Sequence, residues 1–236
     1  MKILRNKIIY LLGLLSLLAL TGCSIAPPQP DLTLNSDILT EQNTRIGIHY
    51  VAPEEEATTH IWGANCLLCY GVASALTSDL DSHLKDAITT EELDAIKKLV
   101  HSKYVERFPN VKMVELSTPV SELKDFKTDQ ELGFANKDFR AVKDELDIDV
   151  LVIMQVWGHG AYRSFSNYIP NGDPQGYIGG WLYSVDLNTN AYLHYLSIDE
   201  KVQPAGNWDQ PPRYPSVTTA YYQAVENAKK KIDKSF

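Results

Sequence analysis

The sequence predicts an α/β domain of the α+β kind, with one mixed, partly antiparallel sheet packed against helices. Three observations carry this. Val150 to Trp157 is almost continuously apolar and rich in β-branched residues, as a central strand covered on both faces should be. Several segments repeat apolar residues every three or four positions, the period of a helix with one buried stripe. Two strand-like runs, Tyr177 to Val185 and Ala191 to Val202, are separated only by Asp186-Leu187-Asn188-Thr189-Asn190, whose Asn and Asp tolerate a tight antiparallel turn.

The elements follow in order. Arg45 to Val51 alternates, with Ile46, Ile48 and Tyr50 on one face, and reads as a half-buried strand ended by Pro53. A polar loop is expected from there to His60. Cys69, Ala73, Leu76, Leu80 and Leu84 form one stripe, which predicts a single helix over residues 65 to 86. Thr89 with Glu92 makes a capping box for a second helix bearing Leu93, Ile96, Val100, Tyr104 and Phe108, stopped by Pro109. Val111 to Leu116 reads as a short strand. Asn136 can cap a helix carrying Phe139, Val142 and Leu146. After the central strand, Ser164 to Gly176 reads as a long turn region. A proline-rich loop with Pro204, Pro211, Pro212 and Pro215 precedes a last helix from Ser216, with Val217, Ala220, Ala224, Ala228 and Ile232 inward.

Ahead of the domain stands a leader. Lys2, Arg5 and Lys7 precede an apolar stretch, Ile8 to Leu20, which is too short for a comfortable membrane span of about 20 apolar residues. It ends in Leu20-Thr21-Gly22-Cys23, which resembles the lipobox of bacterial lipoproteins. The resemblance implies cleavage after Gly22, thioether lipidation and N-acylation of Cys23, and a lipid anchor in a membrane. Ser24, where Asp would favour inner-membrane retention, implies the outer membrane with the domain facing the periplasm. The expected organisation is a signal peptide over 1–22, a lipidated, proline-rich tether over 23–44 with Pro27, Pro28 and Pro30, and one domain over 45–236.

Removal of the leader leaves 214 of the 236 residues. The leader holds three of the 22 basic residues and no acidic ones, so 19 basic residues face 30 acidic ones and the mature net charge is −11. That balance gives no electrostatic reason to bind nucleic acid. The composition, 44% hydrophobic and 22% charged, is ordinary for a globular protein with a real core.

Leu146-Asp147-Ile148-Asp149-Val150-Leu151-Val152 leading into a strand, then Tyr183-Ser184-Val185-Asp186-Leu187-Asn188-Thr189-Asn190 as strand and turn, resemble the periplasmic α/β domains of the TolB N-terminal and CsgG type. The resemblance covers the second half of the chain. It implies a role in envelope assembly or integrity through an envelope protein partner, and no catalytic residues.

Chemistry could reside in two places. Cys66 and Cys69 form a Cys-x-x-Cys pair, open to three readings: a local disulfide, buried thiols, or a working redox pair with Cys66 at a helix N-terminus. The histidines, His49, His60, His83, His101, His159 and His194, show no metal-ligand spacing, and no phosphate loop, nucleophile elbow or dinucleotide fingerprint occurs. No metal or cofactor is expected. The second place is aromatic. Trp157, His159, Tyr162, Phe165, Tyr168 and Tyr177 lie among closely spaced glycines, and Trp208 and Tyr214 lie on the proline-rich loop. These are the candidate binding residues, because aromatic side chains with polar tips suit contact surfaces. Trp181 is expected instead to cover a sheet face. The function expected is a non-catalytic, lipid-anchored envelope protein that acts by protein contact; the alternative is a periplasmic thiol-disulfide protein using Cys66 and Cys69.

Overall fold

A 17-residue strand, Val150–Ser166, is the spine on which every other strand is arranged. In the computed structural model, which describes residues 27–34, 44–130 and 132–236, the chain forms a seven-stranded mixed sheet and five α-helices. In chain order the elements are β1 (Ile46–Val51), β2 (Thr58–Trp62), α1 (Leu67–Ala75), α2 (Ser78–Ala87), α3 (Glu91–Val105), β3 (Val111–Met113), α4 (Val142–Leu146), β4 (Val150–Ser166), β5 (Ile169–Pro170), β6 (Gln175–Asp186), β7 (Tyr192–Val202) and α5 (Pro215–Lys234). The leader and Cys23 lie outside the described residues.

The sheet order is β3-β1-β4-β6-β7. β1 and β2 share one edge of β4, both parallel to it: Ile46 to Val51 pairs with Val150 to Gln155, and Thr58 to Trp62 with Gly160 to Ser164. β6 runs antiparallel along the other edge, and β7 antiparallel to β6. The side-chain period of two then builds two cores. Val150, Val152, Met154 and Val156 face α2, α3 and α5, against Leu80, Ile96, Val217, Tyr221 and Ala224. Leu151 and Ile153 face the opposite side, against Val114, Phe139, Val142 and Val185. Both faces of β4 are therefore apolar, which is the continuous run seen in the sequence. At the foot of the sheet Arg45 pairs bidentately with Asp149 (2.9 Å each) and also with Asp147, which joins the start of β1 to the start of β4. This guanidinium holds the Asp149 carboxyl at about 2.

Several elements differ from the sequence expectation. The helix expected over 65–86 is two helices. Thr77 is buried, and its hydroxyl donates to the carbonyls of Ala73 and Ser74, so the chain reorients there and Leu76 is left exposed. The polar loop expected before His60 contains β2, a strand recognisable only by its pairing with β4. β4 continues past Trp157 through Ser166, just into the expected turn region, and the strand after Phe108 stops at Met113. The helix expected from Asn136 is confined to Val142–Leu146. Residues ahead of Arg45 also touch the sheet: Leu32 pairs with Tyr195 of β7, and the Ser197 amide donates to Asp31.

Candidate functional site

The segment 114–146 covers only the lower half of one sheet face. On the upper half of that face β4 carries a bulge. Val156 pairs with Gly180 and Gly158 with Gly179, so Trp157 has no partner. The alternation changes phase there. His159 and Ala161 now point to the helices, and Tyr162 points to the uncovered side. β6 presents Tyr177, Gly179 and Trp181 to the same side, and β7 places Ser197, Asp199 and Lys201 opposite Trp181, Gly179 and Tyr177.

The glycines decide how these rings lie. A Cβ on Gly179 would come within 2.5 Å of Trp157 Cζ2, and one on Gly158 would collide with the His60 ring of β2. Both rings close down on the sheet where a side chain is missing. Trp157 and Trp181 stand side by side, centroids 5.9 Å apart and planes at 41°, and remain 40% and 36% exposed. Tyr177 lies 5.7 Å from Trp157 and 5.7 Å from Tyr162. Lys201 Nζ sits 4.6 Å above the Tyr162 ring and pairs with Asp199. Burial pushes the Tyr177 hydroxyl up and the His60 imidazole down, so both are neutral at pH 7. The result is a cleft of about 620 Å³ that runs from Trp181 past His60 to Thr59, Tyr70 and Asp81 at the edge of β2.

The expected site residues are dispersed. Trp157, Tyr162 and Tyr177 meet in the cleft. Tyr168 is exposed at the β4–β5 turn. His159, expected at a contact surface, is buried against Tyr221, 3.3 Å from its hydroxyl. Phe165 is also a correction: it is 3% exposed, under the Arg163 guanidinium, because the bulge turns it toward the helices. Tyr214 is buried, and it stacks with Trp208 (6.3 Å, 15°) on the helix side of the sheet, away from the cleft. Trp181 lies on the sheet face, as expected, but is left 36% exposed there and so joins the cleft. His60 and Lys201 were not expected at the site. Their signal is long-range register, which a single sequence does not carry.

Cys66 and Cys69 form a disulfide, with Cα atoms 4.9 Å apart. Cys66 is the N-cap of α1 and exposed, and its sulfur accepts from the Cys69 amide (2.9 Å); Cys69 is buried. Around the pair, α1 lies bare. Leu67 is 91% exposed, and Leu68, Tyr70, Val72, Leu76 and the nearby Trp62 are exposed as well. A legible signal accompanies this: no Asp, Glu, Lys or Arg occurs from Ala57 to Ser78. Among the described residues no group of side chains is arranged to hold a metal ion, and no helix is long and apolar enough to cross a membrane.

No protein-family model and no curated protein matches the chain. Solved structures similar to it include the PelC dodecamer from Paraburkholderia phytofirmans, at 6% identity and a TM-score of 0.29 over 86% of this chain and 94% of that one. The hypothetical protein CT253 from Chlamydia trachomatis is similar at 6% identity and a TM-score of 0.31, over 81% and 99% of the two chains. Lipoprotein GNA1162 from Neisseria meningitidis is similar at 9% identity and a TM-score of 0.26, over 77% and 99%. At these scores the likeness carries no argument about function.

Proposed function

We propose that this chain is a lipid-anchored protein of the bacterial outer membrane, facing the periplasm, that works by docking an envelope protein and not by catalysis. One observation carries the proposal: Leu67, Leu68, Tyr70 and Val72 of α1, with Leu76 just after it and Trp62 at the end of β2, are exposed within a stretch that has no Asp, Glu, Lys or Arg. Contiguous exposed apolar surface marks interaction sites, and interface centres are depleted of charge and enriched in aromatic residues. The Leu20-Thr21-Gly22-Cys23 motif supplies the anchor, which would keep this surface near its partner.

The test is site-specific photocrosslinking from position 68 in intact cells, against the same crosslinker placed on the exposed Lys230 of α5. Crosslinks from position 68 that disappear in Leu67→Lys support the proposal; identical products from both positions overturn it. Loss of palmitate labelling in Cys23→Ala tests the anchor separately.

A second reading is favoured by the cysteine geometry. An exposed Cys66 at a helix N-terminus with a buried Cys69 behind it is an arrangement suited to thiol-disulfide exchange, and the apolar collar would seat a polypeptide. Insulin reduction by the purified protein that vanishes in Cys66→Ser would favour it over docking alone.

A further inference from the structure

We infer that the cleft between β2, β4, β6 and β7 is a binding site for a neutral saccharide, with Trp157 and Trp181 as its stacking platform. The inference does not rest on the docking surface of α1, although Trp62 and Tyr70 border both.

Three properties of the cleft select the ligand class. The first is its floor. Trp157 and Trp181, adjacent and partly exposed, offer aromatic surface that wants a ligand with a firm apolar face. The absence of side chains at Gly179 and Gly158 keeps the neighbouring rings low, so the ligand can approach the sheet closely. The axial C–H face of a pyranose matches such a floor.

The second is its walls. The His60 ring lies on the cleft side of β2, across from Tyr162, and its Nε2 is shielded from solvent with no hydrogen-bond partner among the described residues. A buried polar atom without a partner is costly, and such atoms are uncommon in native proteins. A sugar hydroxyl both donates and accepts, so it satisfies a neutral imidazole nitrogen in either tautomer. A purely apolar ligand would leave it unmet.

The third is charge. Glu55, Asp81 and Asp199 line the cleft against Lys201 alone, and Lys201 is already held by Asp199 and by the Tyr162 ring. A net acidic rim disfavours an anionic ligand, and with Lys201 already at the tyrosine faces a cationic ligand gains less there. A cleft of about 620 Å³ lies within the range of small-ligand sites.

The experiment is an NMR titration of the full chain in zwitterionic detergent micelles. It follows the four tryptophan indole N–H signals against maltohexaose, cellohexaose and hexa-N-acetylchitohexaose. Saturable shifts at Trp157 and Trp181, with Trp208 unmoved, are expected with at least one of them. Trp181→Ala should weaken that binding about tenfold, the loss of one aromatic stacking contact. Since the wild-type titration needs no variant, a misfolded mutant leaves the test intact. No shift with any neutral oligosaccharide overturns the inference. So does saturation by a proline-rich peptide and not by sugars, which would make the cleft a peptide site. Tighter binding of a polyanionic oligosaccharide than of its neutral counterpart would overturn it too.

Discussion

Trp157 occupies the space that a side chain on Gly179 would need, its Cζ2 within 2.5 Å of where a Cβ would stand. The bulge puts the indole there, and β6 admits it only because position 179 is glycine. Gly179→Ala is therefore expected to expel the ring into solvent, at a cost of about 1–3 kcal/mol from overpacking. A shift in the denaturation midpoint with a red-shifted tryptophan emission would confirm it. An unchanged emission spectrum would mean that the sheet yields and the ring does not.

Gly176 faces something less forgiving. A Cβ there would fall within the backbone of Ala220 and Tyr221, so α5 would have to move as a whole. Gly176→Ala should cost about 3 kcal/mol or more, among the larger single-residue effects. Gly172, with nothing within 4 Å of an added Cβ, is the control. Gly172→Ala should remain within about 0.5 kcal/mol of wild type. Equal melting temperatures for the two variants would contradict the close packing of α5 on β6.

Phe165 and Tyr168 are three residues apart and should behave oppositely. Phe165 is 3% exposed beneath Arg163, and Tyr168 is 57% exposed on the turn. Phe165→Ala should destabilise by about 3–5 kcal/mol, as for a buried aromatic side chain, and Tyr168→Ala by less than about 0.5 kcal/mol. Chemical denaturation of the two single variants separates them.

Acid should loosen the helix-side core before it reaches the ion pairs. Desolvation pulls His159 and His194 down to about 4: His159 faces Tyr221 and His60, and His194 faces Tyr104 and Phe236, with the Asp31 carboxylate opposing its shift only in part. The unfolded chain takes up protons at these sites near 6.5, where the folded chain does not. Their contribution is complete above that value and is lost as pH falls toward 4, by as much as about 3 kcal/mol each. Asp149 acts lower. Its stabilisation is present above its ordinary value of 3.8 and is lost only as pH approaches about 2. Stability measured between pH 7 and 4.5 should fall, and His194→Gln should flatten that slope even if it lowers stability throughout. A slope unchanged in both His194→Gln and His159→Gln would sink this account.

Local patterns carried much of the fold. The β-branched run of β4, the stripes of α2, α3 and α5 and the Asp186–Asn190 turn could all be recognised, because each depends on neighbours within one or two helical turns or strand pairs. β2 could not. Its residues are half polar, and it is a strand only because its backbone finds β4 a hundred residues later. The break between α1 and α2 is also local in position but not in cause, since the apolar stripe continues through Leu76 and the buried Thr77 hydroxyl ends the first helix.

The candidate site divides in the same way. The sequence by itself determined that aromatics and glycines crowd the stretch after Val156, that the two cysteines are close enough to join, and that no charge interrupts α1. Only the tertiary structure decided which aromatics are exposed. One unpaired residue, Trp157, shifts the alternation of β4, so that His159 and Phe165 turn inward and Tyr162 turns out. Trp181 stays open because the covering segment 114–146 ends below it, and Tyr214 is buried because α5 begins against the other side of the sheet. A side chain's face on a strand follows from its register with distant partners, and whether that face is covered follows from where the rest of the chain happens to pack.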